Sequence, residues 1–238
     1  MIKKNMIKNF TKAIATILDN GDRLVEDACY LSEYERFPTA YALCILAQEE
    51  YAKAFLLYLI SEEAIPWTQE LRRMLHNHTC KQLLSLIIDF LEPDDLVSWL
   101  DKRKNENYVM PSHIVDVINI LRHEKLPKQE QWAWIGDEDP PYNQLARKVA
   151  DGIVDKQKQD AIYVRLGKDG SVASTPLRIT EAMVNELLEK TQRFSQFFFR
   201  SDSKFKPIES IDYMKIFWMF RLLFGLCTIE EYEKQWWV

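Results

Sequence analysis

The sequence predicts an all-α protein, and three observations predict it. Apolar residues recur at helical spacing in long stretches from one end of the chain to the other. The 238 residues include only six glycines and nine prolines, too few for the many turns of an all-β chain. Only one segment shows the alternation and turn chemistry of a hairpin.

Taken in order, residues 5–31 place Ile7, Phe10, Ile14, Ile17, Leu18, Leu24, Val25, Ala28 and Leu31 at helical spacing, with Asn20-Gly21 expected to kink or divide the segment. Pro38 suits the first turn of the next helix. That helix, Thr39–Ile60, carries just three charges, Glu49, Glu50 and Lys53. At about 100° per residue, Ala40, Cys44, Ala47, Tyr51, Ala54 and Tyr58 form a narrow line of mostly small side chains. Leucines and isoleucines fill the rest of the circumference, so this helix is expected at the centre of the bundle. Glu70–Leu91 reads as one further helix, closed by Pro93, with a short helical piece after it and a charged loop at 101–107. Ser112–His123 follows with Ile114, Val117, Ile118 and Leu121 on one side. The proline-bearing, acidic and aromatic stretch 124–143, with Trp132 and Trp134, reads as a long loop. Leu145–Gln159 resumes as a helix. Ile162, Val164 and Leu166 then alternate with Tyr163 and Arg165 before the turn residues Lys168-Asp169-Gly170. Thr180 is an N-cap for a helix reaching about Phe199. Ile208–Leu226 is strongly aromatic, and the chain closes on a short helix with a Trp-Trp tail.

Composition bounds the function. The chain is 47% apolar with a net charge of −5, so it offers no overall basic surface for nucleic acid, although a local basic site remains open. The four cysteines lack C-x-x-C spacing, and they read as reduced residues of a cytoplasmic protein. The basic start MIKKNMIKNF has no apolar core or cleavage site of a signal peptide. Glu49, Glu50 and Lys53 interrupt the best membrane-span candidate, so no membrane association is expected.

The chemistry-bearing residues concentrate in two places. Glu49-Glu50-x-x-Lys53 sits on the apolar helix, where charges need partners; Lys53 can meet Glu49 (i,i+4) or Glu50 (i,i+3), and the pair with Glu50 is expected to be buried, the alternative being a salt bridge where the helix emerges into water. Arg72, Arg73, His76, His78 and Lys81 follow within ten residues. His78 shares a face with Leu71, Met74 and Lys81, whereas His76 lies with Arg72. On one ideal helix Arg73 and His78 diverge by about 140°. They meet only if the helix starts or bends between them, or if a second subunit supplies one partner.

There is no phosphate-binding glycine loop, no H-E-x-x-H and no E-x-x-H spacing of a di-iron bundle. His76 and His78 point about 160° apart on a helix, which is poor metal-pair geometry. A metal-dependent enzyme built on His76, His78 and the carboxylates is a third and weaker class, and neither metal nor cofactor is expected. What remains suits metal-free phosphodiester cleavage. Histidine moves a proton at neutral pH, Arg and Lys neutralise charge at phosphorus, and RNA supplies its own 2′-OH nucleophile.

Three stretches carry a resemblance: RFPTAYALCILAQEEYAKAFLL at 36–57, Trp67 to Leu83 with His78-x-x-Lys81, and KQKQDAIYVRLGKDGSVASTP at 156–176. Together they resemble the AbiV-type abortive infection proteins of bacterial phage defence, grouped with the HEPN helical superfamily. Ala52 stands where that family usually has glycine. The resemblance implies a HEPN-like helical bundle with one small β-hairpin, in a single domain over 1–238. Its core helices would span about 5–92 and 143–199, with a loop-rich insertion at about 101–142 and a helical C-terminal extension at about 205–238. It also implies an Arg-x(4–6)-His ribonuclease motif, which Arg73 or Arg72 and His78 match. On this reading His78 is general acid or base, Arg73, Arg72 and Lys81 stabilise phosphate, and Glu50 and Lys53 orient the cluster. His76 and Glu49 contact substrate. RNA would be the substrate, the protein a homodimer, and a phage-encoded protein its activator. The rival is a non-catalytic protein that blocks translation or senses phage by binding, with the same cluster as a structural ion-pair network.

Overall fold

The computed structural model describes residues 4–91, 110–125, 142–199 and 211–234. Two long helices organise it, α1 (Lys4–Glu33) and α2 (Phe37–Ser61), antiparallel and joined through Tyr34-Glu35-Arg36. Glu35 takes the left-handed conformation (φ 58°), letting Arg36 N–H reach the carbonyl of Leu31 (2.8 Å) and Glu35 N–H that of Ser32 (3.0 Å). These bonds satisfy the last carbonyls of α1 and turn the chain back on itself. Pro38 lies in the first turn of α2, as its spacing predicts.

The line of small residues on α2 is the seam against α1. Ala40, Cys44, Ala47, Tyr51 and Ala54 are all fully buried. A Cβ on Gly21 would come within 2.8 Å of the Tyr51 ring, whose hydroxyl donates to Asp22 (2.6 Å). Gly21 therefore does not divide α1, which runs unbroken; it makes room for an aromatic ring on the neighbouring helix. Alanine there would gain up to about 1 kcal/mol of helix propensity but would press on a ring with little freedom to move, an overpacking cost of typically 1–3 kcal/mol. Gly21→Ala is expected to lower stability by roughly 1 kcal/mol in urea melts, and a stabilised variant would contradict this packing.

Eight further α-helices follow among the described residues: α3 (Gln69–His76), α4 (His78–Leu91), α5 (Ser112–Ile120), α6 (Gln144–Ala150), α7 (Ile153–Ile162), α8 (Glu181–Phe199), α9 (Ile211–Leu223) and α10 (Ile229–Lys234). Helix α2 is central, packed by α1, α4, α7 and α8. The aromatic α9 joins the same core through Phe55–Phe220 and Tyr58–Tyr213 ring contacts at 6.4 and 6.2 Å. Thr180 caps α8 by accepting from Met183 N–H (3.4 Å). Helix α5 buries Ile114, Val117 and Ile118 as its spacing predicts, then widens into a π turn at Leu121–Lys125.

Three expectations change. The segment 145–159 is two helices, because Asp151-Gly152 ends α6 and Gly152 adopts φ +80°. The hairpin is shorter than its alternation implies: α7 continues to Ile162, leaving β1 (Arg165–Leu166) and β2 (Val172–Ser174) as antiparallel partners. The segment 70–91 is also two helices, with consequences for the site. The short helix predicted after Pro93, the charged loop 101–107, Trp132, Trp134 and the Trp-Trp tail lie outside the described residues. All four cysteines are free; Cys44 and Cys80 are buried, which pushes their thiols up to about 12 and about 11. No helix among the described residues is long and apolar enough to cross a membrane.

Candidate functional site

The break between α3 and α4 positions the site. Thr68 opens α3 by accepting from Leu71 N–H, and the helix ends at His76. Asn77 is extended (φ −86°, ψ 117°), and its side-chain oxygen accepts from Cys80 N–H at 3.0 Å. Asparagine is among the best N-cap residues, so a new helix begins one position later, at His78. The chain thus meets the condition of a bend between Arg73 and His78. Arg72, Arg73 and His76 stay on α3, where with Gln69 and Asn77 they line an open hollow. Arg72 and Arg73 are exposed, and the Arg72 guanidinium lies 6.0 Å over the Trp67 ring. His78 leads α4 with its side chain about half exposed (51%).

His78 is held from below by Glu49. Its Nδ1 lies 2.6 Å from Glu49 Oε2, on the central helix α2. Glu49 is 2% exposed and collects every partner a carboxylate can take. Lys81 Nζ donates to Oε2 (2.7 Å), while Lys158 Nζ (2.8 Å) and Gln82 Nε2 (3.1 Å) donate to Oε1. Burial works against the charge on Glu49, but the hydrogen bonds from Lys158 and Lys81 outweigh it and hold the carboxyl below its ordinary range. Burial likewise opposes the charge on Lys158, and its bonds to Glu49 and Asp155 overcome that and raise it. The result is a closed charge network with one histidine ring edge reaching the surface.

Glu50 and Lys53 pair as their spacing predicts, apart from this network. They form a pair of their own at 2.6 Å, with side chains 18% and 24% exposed. On α2 they continue the half-covered stripe of Leu43 and Leu46, at spacings of three and four residues. Glu49, about 100° round the helix, points inward instead. The buried carboxylate is therefore Glu49, and among the described residues no hydrogen bond joins Glu50 or Lys53 to His78. Lys81 shares the face of His78 as its spacing predicts, but it is 8% exposed and turned to Glu49 rather than outward.

Three residues escaped the sequence reading: Gln82, Lys158 and Asp155. A signal for Lys158 existed, since Val154, Lys158 and Ala161 share a helical face and Ala161 is the buried residue of α7. Glu49, His78 and Asp155 bring metal-ligating atoms within 4.8 Å of one another. His76, expected in any metal set, is not part of that group. Elsewhere, Gln48 donates to Thr191 (2.9 Å), Ser195 to Asp22 (2.8 Å), and Lys190 and Arg193 to Asp89 (2.7 and 3.2 Å), fastening α8 to α2, α1 and α4.

No curated protein and no solved structure matches the chain. One family model, HEPN_AbiV, described as AbiV, matches residues 9–196. That match takes in α2 to α7, most of α1 and α8, and every residue of the Glu49–His78 network. On this basis, and with an all-α fold carrying one small hairpin, the chain belongs to the AbiV family of HEPN proteins.

Proposed function

We propose that this chain is an antiphage abortive infection protein of the bacterial cytoplasm that acts as a toxin-like, metal-independent endoribonuclease. Membership in AbiV supports the role in abortive infection. One observation carries the chemistry: a half-exposed His78 bonded through Nδ1 to a buried carboxylate, next in sequence to Asn77 of a hollow that Arg72, Arg73 and His76 also line. In this reading Nε2 of His78 takes the proton from a ribose 2′-OH as the 2′-oxygen attacks phosphorus. The bond from phosphorus to the 5′-oxygen breaks, leaving a 2′,3′-cyclic phosphate and a 5′-hydroxyl end once that oxygen takes a proton from the solvent, to which His78 afterwards returns its own. Arg73 and Arg72 neutralise the charge that develops on the phosphoryl oxygens. Glu49, being buried, acts through His78 rather than on RNA. Purified protein incubated with total RNA and transfer RNA should cleave one of them equally well with and without EDTA. Absence of cleavage in both, with a phage-encoded activator also supplied by co-expression, would remove the nuclease reading.

A second reading has its own support. Lys81 is bound to Glu49 and is not available to a phosphate, so the network also suits a non-catalytic protein that blocks translation by binding. Dimerisation separates the two further. HEPN-type sites commonly form across a two-fold axis, which would place the arginines of one protomer against His78 of its partner. Light scattering is expected to give a dimer at micromolar concentration, and a stable monomer would count against a shared site.

A further inference from the structure

The ammonium of Lys158 sits among three polar side-chain atoms on three helices. It lies 2.8 Å from Glu49 Oε1 on α2, 2.9 Å from Asp155 Oδ1 on its own α7, and 3.2 Å from His78 Nδ1 on α4. Two carboxylate oxygens and an imidazole nitrogen are also the ligand types that hold zinc, and these three residues bring such atoms within 4.8 Å of one another. A cation already stands at that point, and it belongs to the chain. We propose that Lys158 is the built-in cation of the His78 site: a positioning residue that occupies the place of a divalent metal ion and, through Glu49, keeps His78 with Nδ1 inward and Nε2 outward.

The ring orientation follows from the distances. Nδ1 has one position to share, either a proton or a lone pair. Glu49 Oε2 is the nearer neighbour at 2.6 Å, and two lone pairs do not sit that close. Nδ1 therefore carries the proton and donates it to Glu49. Lys158 directs its protons to Glu49 Oε1 and Asp155 Oδ1, which leaves the lone pair on Nε2 whenever the ring holds a single proton. A metal ion ligated by Nδ1 would leave the ring proton on Nε2; the lysine instead holds Glu49, which keeps the proton on Nδ1 and so fixes one tautomer and one orientation. It does so without leaving an open coordination position for water. The effect on catalysis rests on the nuclease reading; the location of the cation does not.

Two measurements test it. In the full-length wild type, ¹⁵N-labelled at histidine, long-range ring correlations should give His78 the Nδ1–H signature in its uncharged form; an Nε2–H signature would overturn the proposal. Calorimetric titration with Zn²⁺ alone should then show at least about tenfold tighter 1:1 binding to Lys158→Ala than to wild type, because the vacated position gains a metal. Adding Asp155→Asn should abolish that gain. A Lys158→Ala protein that folds and binds Zn²⁺ no better than wild type would also overturn it. If Lys158→Ala does not fold, the wild-type tautomer decides alone. Where RNA is cleaved, Lys158→Ala should lose about tenfold or more in kcat with little change in KM. If wild type cleaves no RNA, the nuclease reading fails while the tautomer and zinc results still judge Lys158.

Discussion

His78→Ala is expected to abolish phage protection and to cut RNA cleavage by about a hundredfold to ten-thousandfold, the range general acid–base groups contribute, while the fold stays intact. The fold survives because the imidazole is half exposed and Glu49 keeps its bonds to Lys81, Lys158 and Gln82 when the ring is removed. His76→Ala should do less. His76 is exposed at the end of α3 and lines the hollow beside the arginines without a buried partner among the contacts found. The pair of variants therefore separates a proton-transfer group from a surface contact. Plaque counts at normal expression, with circular dichroism of both proteins, decide it. Protection retained in His78→Ala would end the catalytic reading and leave the binding one.

Much of the fold was legible because its signals are local. The near-complete apolar circumference of 39–60 identified the central helix, its small-residue line identified the seam, and Thr180 marked the start of α8. Legibility failed where tertiary contact overrides a local signal. Gly21 reads as a helix breaker in sequence, yet the Tyr51 ring above it explains the glycine and α1 continues. Asn77 reads as an ordinary helix residue until its side chain is seen to cap Cys80 N–H and start α4. The site was half legible for the same reason. His78, Lys81 and the acidic pair lie close in sequence or on one helix face, whereas Lys158 reaches Glu49 across 109 positions. A buried carboxylate announces that counter-charges are needed, but the sequence does not say from which helix they come. Choosing between Glu49 and Glu50 depended on which stripe of α2 is covered, which only the packed neighbours fix.

That choice carries the second large prediction. Lys81 and Glu49 are 8% and 2% exposed, so each was taken out of water to meet the other. Removing one member of a buried pair typically costs about 3–5 kcal/mol because the remaining charge is left uncompensated. Glu49 would retain Lys158 and Gln82, so Lys81→Met is expected near the lower end, about 3 kcal/mol. Glu50 and Lys53 keep more contact with water, at 18% and 24% exposed, so Lys53→Met should cost less, about 1 kcal/mol. The contrast is the test, since both variants exchange a lysine beside an α2 glutamate for the same apolar residue. Combining Glu49→Gln with Lys81→Met should recover part of the Lys81 loss, because the amide removes the buried anion that Lys81 had compensated. Recovery stays incomplete, as Lys158 then loses its carboxylate partner on α2. Denaturant melts of the single and double variants measure all of this. Equal, small and additive losses at Lys81 and Lys53 would mean that Glu49 is solvated after all, and His78 would then lack the buried anchor on which its role depends.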